Sequence, residues 1–251
     1  MWALQVEPIV RKAGALAHSY FRKNVQGYDK GGGSIVTQAD IEVENYLKKA
    51  LGQLIPGSGF IAEESLRAPA EYTWVIDPID GTRNFAHGLP YYAISVALVY
   101  KEELIFGMVY DPSQNELFWG EKGKGAFCNA QPLGLKDRER RPVEGLLIAT
   151  NSFIKKTRLE RIMQVYEALK EYNPSLRCTG SAALDITYAA AGYIDIAIFK
   201  GLAWWDIAAA ACIAEQAGLK VTDFQGNKIQ EKNDTFLAAP VYLYENVRKV
   251  L

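Results

Sequence analysis

The chain predicts a mixed α/β protein, on three observations. Residues 4–21 repeat apolar side chains with a helical period. Residues 73–128 read as a region of strands, with β-branched and aromatic residues alternating through 91–100 and 104–110. From residue 146 onward, short apolar runs alternate with helical ones.

Taken in order, residues 4–21 form an amphipathic helix in which Lys and Arg interrupt the apolar positions, unlike the unbroken apolar core of a signal peptide. Lys30 and the run Gly31, Gly32, Gly33 predict a mobile lid, because consecutive glycines carry no side-chain packing and leave the backbone angles free. A nucleotide-binding glycine loop would need a strand before it and a G-K-[ST] or G-x-x-G pattern, and both are missing. A second amphipathic helix runs to about residue 54, with Asp40 near its start, where an acid complements the helix dipole. Phe60, Ile61 and Ala62 are a short strand delivering Glu63 and Glu64 at its carboxyl end.

Trp74, Val75 and Ile76 read as a buried strand that Pro78 is expected to stop, with Asp77 and Asp80 on the turn and a helix start behind them. The backbone N–H groups of Gly81 and Thr82 at that helix start favour an anion. Strands follow at residues 91–100 and 104–110, joined by a turn at Lys101, Glu102 and Glu103. Residues 135–142 are dense in charge and read either as an exposed loop or as the boundary between an N-terminal α+β subdomain, 1–140, and a C-terminal α/β subdomain, 141–251. Beyond them come a strand at 146–149, helices at 157–172 and 182–191, a strand at 194–199, a helix capped by Asp206, and a closing strand and helix.

Composition narrows the class. With 251 residues, 49% of them hydrophobic, the chain can bury a large core. A formal net charge of -1 offers no general attraction to nucleic acid or to a membrane surface. Three cysteines without metal-ligand spacing predict free, mainly buried thiols in a reducing compartment, and the cytoplasm is the expected location. No transmembrane segment is visible, since the apolar run after Trp204 and Trp205 is short and ends at Glu215.

Five acids stand at element ends: Asp40, Glu63, Asp77, Asp80 and Asp206. Each alone has a structural explanation. Asp40 and Asp206 serve as helix-start acids, Glu63 and Glu64 as a solvated pair, and Asp77-Pro78 as a turn. Together they are a set of hard oxygen donors of the kind Mg²⁺ selects, and a group of Mg²⁺ ions is suited to phosphate esters because it neutralises the phosphoryl oxygens and acidifies bound water.

The motifs "FIAEES", "WVIDPIDGTRNF", "GSAALD" and "WWDIAAA", in this order and spacing, resemble the inositol monophosphatase family of Mg²⁺-dependent, lithium-sensitive phosphatases. The likeness continues through "HGLPYYAISVAL", "VYDPSQNELFWGEKGKGAF" and "IAEQAGLKVTDFQGN", so it spans most of the chain. The resemblance implies a layered α-β-α-β-α sandwich, a homodimer, and two or three Mg²⁺ ions per active site. It further implies that Glu63 and the Ile79 carbonyl hold one metal, that Asp77 bridges to a second held by Asp80 and Asp206, and that Thr82 with Asp40 orients the attacking water. Glu63 or Glu64 would steer a third metal. Gly81 and Thr82 would cradle the phosphate, with Gly180, Ser181, Ala182 and Asp185 on the alcohol side. Neither of the two histidines, His18 and His87, is needed, so direct attack by water without a phosphoenzyme is expected.

Phe199 stands where inositol-selective members resemble one another in carrying Glu, and Arg83 replaces a small residue. Arg83, Arg177 and Lys200 are either solvent-facing or a second anion contact. The expected substrate is therefore a small phosphate ester: inositol monophosphate or a sugar phosphate, with fructose 1,6-bisphosphate, 3'-phosphoadenosine 5'-phosphate and histidinol phosphate as alternatives. A non-catalytic interaction protein retaining the fold is the reading from another class.

Overall fold

The computed structural model describes residues 1–23, 27–31, 34–134, 145–151 and 156–251. The charged segment 135–142, Gly32 and Gly33 lie outside the described residues, so the inferred subdomain boundary and most of the glycine run do too.

The architecture is five layers. Helices α1 (Trp2–Tyr20) and α2 (Gln38–Leu54) cover one face of a sheet ordered β3 (Gly59–Ala62), β4 (Tyr72–Asp80), β5 (Ala93–Tyr100), β6 (Glu103–Asp111), β7 (Glu116–Glu121), β8 (Gly125–Cys128), β9 (Gln131–Leu133). Strand β3 runs parallel to β4 and the remaining pairs are antiparallel. A second sheet has the order β11 (Ser175–Arg177), β10 (Leu147–Thr150), β12 (Ile196–Lys200), β14 (Thr235–Ala239), β13 (Lys220–Thr222). Helices α5 (Ala182–Ala191) and α6 (Trp204–Gln216) lie between the sheets, while α4 (Lys156–Ala168) and α7 (Val241–Arg248) cover the outer face of the second one. The period-two pattern explains the layering. Trp74 and Ile76 turn towards α1 and α2, whereas Val75 turns towards α5 and α6.

Helix α6 shows why a central layer needs its own composition. It is buried continuously from Ile207 to Ala214, as a helix apolar all round must be, and its alanines allow a close approach to the sheet. At Gly107 of β6 a Cβ would lie 2.2 Å from the Ala209 carbonyl oxygen, so only glycine fits there.

Three local expectations are corrected. Strand β4 does not stop at Pro78. It continues to Asp80 because a bulge sets three steps of β4, from Asp77 to Asp80, against two of β5, from Ser95 to Ala93, and proline's missing N–H is tolerated in such a bulge. Glu103 belongs to β6, leaving Lys101 and Glu102 as a tight turn, both at positive φ (46° and 68°). Lys30 and Gly31 of the expected lid stand at the end of β1 (Gly27–Gly31), which pairs antiparallel with β2 (Ser34–Thr37). In addition, α4 ends at Ala168, followed by a single 3₁₀ turn, Lys170–Tyr172. The short α3 (Thr82–Ala86) starts where a helix was expected. No helix among the described residues is long and apolar enough to cross a membrane.

Candidate active site

The predicted acids arrive at one place from separate elements. Strand β3 hands over to Glu63 one residue past its end, the β4 bulge presents Asp77 and Asp80, and the first turn of α6 presents Asp206. One carboxylate oxygen from each of Asp77, Asp80 and Asp206 lies within 4.8 Å of the others. Glu63 is outside that trio but lines the same cavity, of about 680 Å³, together with Ile79, Gly81, Thr82 and Arg83 on one side and Gly180, Ser181, Ala182, Asp185 and Phe199 on the other. Asp40 sits behind this wall, fully buried at the start of α2, and its Oδ1 accepts a hydrogen bond of 3.2 Å from Thr82 Oγ1.

Asp206 is not the N-cap of α6. Ala203 holds that position, and Asp206, three residues on, accepts the Ala203 N–H on Oδ2 at 2.8 Å. Asp40 does the same for α2, accepting the Thr37 N–H and hydroxyl on Oδ2. The structural and functional readings of these acids are thus both served, by different oxygens.

Each member of the trio has one oxygen fixed by protein donors. Asp77 Oδ1 accepts the Ile79 N–H at 3.0 Å, and Asp80 Oδ2 accepts the Ser181 hydroxyl and the Ala183 N–H, the latter at 2.8 Å. The second oxygen of each has no protein donor among the described residues, and no ion pair among them includes any of the three.

Electrostatics agree with that arrangement. Burial, followed by the charges of Glu63, Asp80, Asp206 and Asp40, holds the Asp77 carboxyl well above the usual carboxylate range. Asp80 is pushed up to about 8 by burial and the Asp206 charge, against the lowering effect of Ser181 and Ala183. Asp206 is pushed up to about 7 by burial, with Glu63 adding to it and the Ala203 N–H opposing it. Burial likewise raises Asp40 to about 6. Oriented carboxylates that resist carrying charge together, each with an oxygen unclaimed by the protein, fit a cluster of divalent cations better than any role in holding the fold.

The remaining predicted residues are distributed unevenly. Asp185 is buried, and its Oδ1 accepts both the Tyr91 hydroxyl (2.7 Å) and the Thr179 hydroxyl (2.6 Å). Arg177 and Lys200 do not line the cavity. Arg177 donates to the Leu176 carbonyl, and Lys200 lies 3.7 Å from Asp234. Glu64 also lies off the cavity, with its N–H donated to Glu44 Oε2 at 2.8 Å. Lys30 belongs to the end of β1. Phe199 does reach the cavity wall but is only 3% exposed, inside the apolar cluster that both sheets share.

Neither histidine touches the cavity, and His18 meets the Tyr92 hydroxyl at 3.1 Å through Nδ1. All three cysteines are free, although Cys178 is exposed on the cavity wall rather than buried. Sequence reasoning assigned no site role to Asn84, Tyr91 or Thr179. Asn84 is visible only as one letter inside "GTRNF", and polar residues that act by holding a backbone leave no periodic signal.

Comparisons with known proteins agree on the family and the fold. A family model described as the inositol monophosphatase family matches residues 3–250. The chain is 32% identical over 245 residues to the fructose-1,6-bisphosphatase/inositol-1-monophosphatase of Thermotoga maritima, covering 97% of this chain and 93% of that protein. It is 35% identical over 236 residues to the Nus factor SuhB of Haemophilus influenzae, covering 92% and 88%. The solved structure of the Thermotoga maritima IMPase matches with a TM-score of 0.88 at 31% identity, covering 100% of this chain and 96% of that one. With a match along nearly its whole length and the same layered fold, the chain belongs to the inositol monophosphatase family.

Proposed function

We propose that the protein is a Mg²⁺-dependent phosphomonoesterase acting on inositol monophosphate or a related sugar phosphate. The observation that carries this reading is the trio Asp77, Asp80 and Asp206, whose carboxylates converge within 4.8 Å on an open cavity and have no cationic partner among the described residues. Glu63, Asp77, Asp80, Asp206 and the Ile79 carbonyl, which line the cavity as Glu64 does not, would hold two or three Mg²⁺ ions, with Glu63 serving the third. Bound there, Mg²⁺ supplies charge neutralisation for the phosphoryl group and a lowered pKa for water.

The chain's own groups have distinct tasks. Thr82 Oγ1 lies within reach of both Asp40 Oδ1 (3.2 Å) and the Ile79 carbonyl (2.9 Å). Its single proton satisfies one acceptor at a time, so when it is given to Asp40 the Thr82 oxygen can accept a proton from water and aim the water's lone pair at phosphorus. Gly81 and Thr82, at the entry of α3, line the cavity, and their N–H groups would meet the phosphoryl oxygens there. Ser181 and Ala183 hold Asp80, and Asp185, which lines the cavity, would accept from hydroxyls of the alcohol.

The test is phosphate release from inositol 1-phosphate, fructose 1,6-bisphosphate, 3'-phosphoadenosine 5'-phosphate and histidinol phosphate, each with Mg²⁺ and with a chelator. Mg²⁺-dependent turnover of at least one supports the reading, and absence of turnover on all of them overturns it. Similarity to proteins named Nus factor SuhB favours a second reading, a macromolecular interaction surface on the same fold. The converging carboxylates favour catalysis, because an interaction protein gains nothing from holding mutually repelling acids together.

A further inference from the structure

Asn84 sits in α3 and lines the same cavity as the acids, and its side chain closes a circuit of hydrogen bonds. Its Nδ2 donates to the carbonyl of Tyr91 at 2.8 Å and to the carbonyl of Thr179 at 2.9 Å, using both amide protons. The hydroxyls of those same two residues converge on one atom, Asp185 Oδ1, at 2.7 and 2.6 Å. One amide therefore fixes the two backbones, and one carboxylate oxygen collects the two side chains. The other oxygen, Asp185 Oδ2, has no protein donor among the described residues, although the residue is 1% exposed and lines the cavity. A carboxylate oxygen with no protein donor, on a residue that lines the cavity, is free to accept a hydrogen bond from a hydroxyl held there.

Gly180 shows how closely this circuit is built. It has φ of 93°, and a Cβ there would lie 3.0 Å from the Asn84 amide nitrogen, so the segment before α5 rests directly on Asn84. Tyr91 comes from the connection before β5 and Thr179 from the connection before α5, so Asn84 joins the half of the site that carries the phosphate turn to the half that faces the alcohol.

We propose that Asn84 is a positioning residue for the alcohol side of the site: by holding Tyr91 and Thr179 it fixes Asp185 Oδ2 as an acceptor for substrate hydroxyls, and so selects hydroxyl-rich phosphate esters over plain ones. This rests on the phosphatase reading above. It differs from a role in catalysis, because Asn84 touches neither the acid trio nor Asp40 among its hydrogen bonds.

The experiment compares a hydroxyl-rich ester, inositol 1-phosphate, with an ester lacking hydroxyls, phenyl phosphate, at saturating Mg²⁺. The proteins are wild type, Asn84→Asp, Asn84→Ala and Tyr91→Phe. Asn84→Asp keeps the shape but presents acceptors to two carbonyls, and Tyr91→Phe removes one donor to Asp185 while keeping the ring. The expected result is that the ratio of kcat/KM for inositol 1-phosphate to that for phenyl phosphate falls at least about tenfold in each variant, mainly through KM, since losing a hydrogen-bonding group costs discrimination on this scale. The Mg²⁺ concentration giving half-maximal activity stays where it is in wild type. A parallel loss on both esters, or an unchanged ratio in Tyr91→Phe, overturns the proposal. Failure of the phosphatase reading looks different: wild type then hydrolyses neither ester.

Discussion

Asp77 concentrates the conflict on which the site depends. It is buried, it feels four neighbouring acids, and it has no cationic partner among the described residues, so without metal its ionised form is a burden on the fold. An isosteric amide removes the charge and the metal ligand together. Asp77→Asn is therefore expected to lower activity by about three orders of magnitude or more, while melting no lower than wild type in chelator at pH 8. Loss of the folded state in chelator, or turnover near wild type with Mg²⁺, would contradict that assignment. Phe199 is the opposite case. Its sequence position suggested a missing acid, yet the ring is 3% exposed and lies 6.5 Å from Phe236, centroid to centroid. Phe199→Glu would bury an unpaired carboxylate, and urea unfolding is expected to show a loss of about 3 kcal/mol or more. A midpoint equal to that of wild type would mean the new side chain escapes into the cavity, returning the position to the specificity argument.

Elements were legible in the sequence wherever a period was long and uninterrupted. Residues 182–191 were expected to be helical and α5 has those bounds, and the expected two-helix, strand-rich, then alternating order is the observed one. What escaped was set by pairing rather than by period. The β4 bulge lets a strand pass through Pro78, the Lys101-Glu102 turn uses positive φ without glycine or asparagine, and the β1–β2 hairpin is too short to show alternation. The acids were legible because they follow strand ends or open helices, whereas the Asn84 circuit was not, since it joins backbone carbonyls distant in sequence. The central layer yields its own prediction. Gly107→Ala drives a methyl group against the Ala209 carbonyl of α6, a backbone atom that cannot rotate away, so it is expected to cost about 3 kcal/mol or more by urea unfolding. A loss below about 0.5 kcal/mol would mean that α6 can slide, and that the sheet and helix are less tightly joined than the geometry requires.

At the scale of the whole molecule, site chemistry and stability are one equilibrium. Asp80 and Asp206 have carboxyls raised to about 8 and about 7, with burial the leading cause, so the folded metal-free protein binds more protons than the unfolded chain between roughly pH 4 and these values. The sign is fixed: their contribution to stability is fully present below pH 4 and is lost as pH rises through about 7 to 8. In chelator, the melting temperature is expected to fall between pH 6 and pH 8 by more than it does in Asp77→Asn with its smaller acid cluster. Mg²⁺ should reverse this by binding the folded state, with a larger rise at pH 8 than at pH 6. Equal shifts at both pH values would place the metal away from these acids. The most direct test of the central claim, that the Asp77, Asp80 and Asp206 cluster is a metal centre for phosphate ester hydrolysis, is a titration of Mg²⁺ into chelator-treated wild type and Asp77→Asn, following heat of binding and phosphate release from inositol 1-phosphate together. The account predicts that in wild type binding and turnover rise over the same Mg²⁺ range and that both collapse in Asp77→Asn. Turnover that is independent of Mg²⁺, or that survives in the variant, would contradict it.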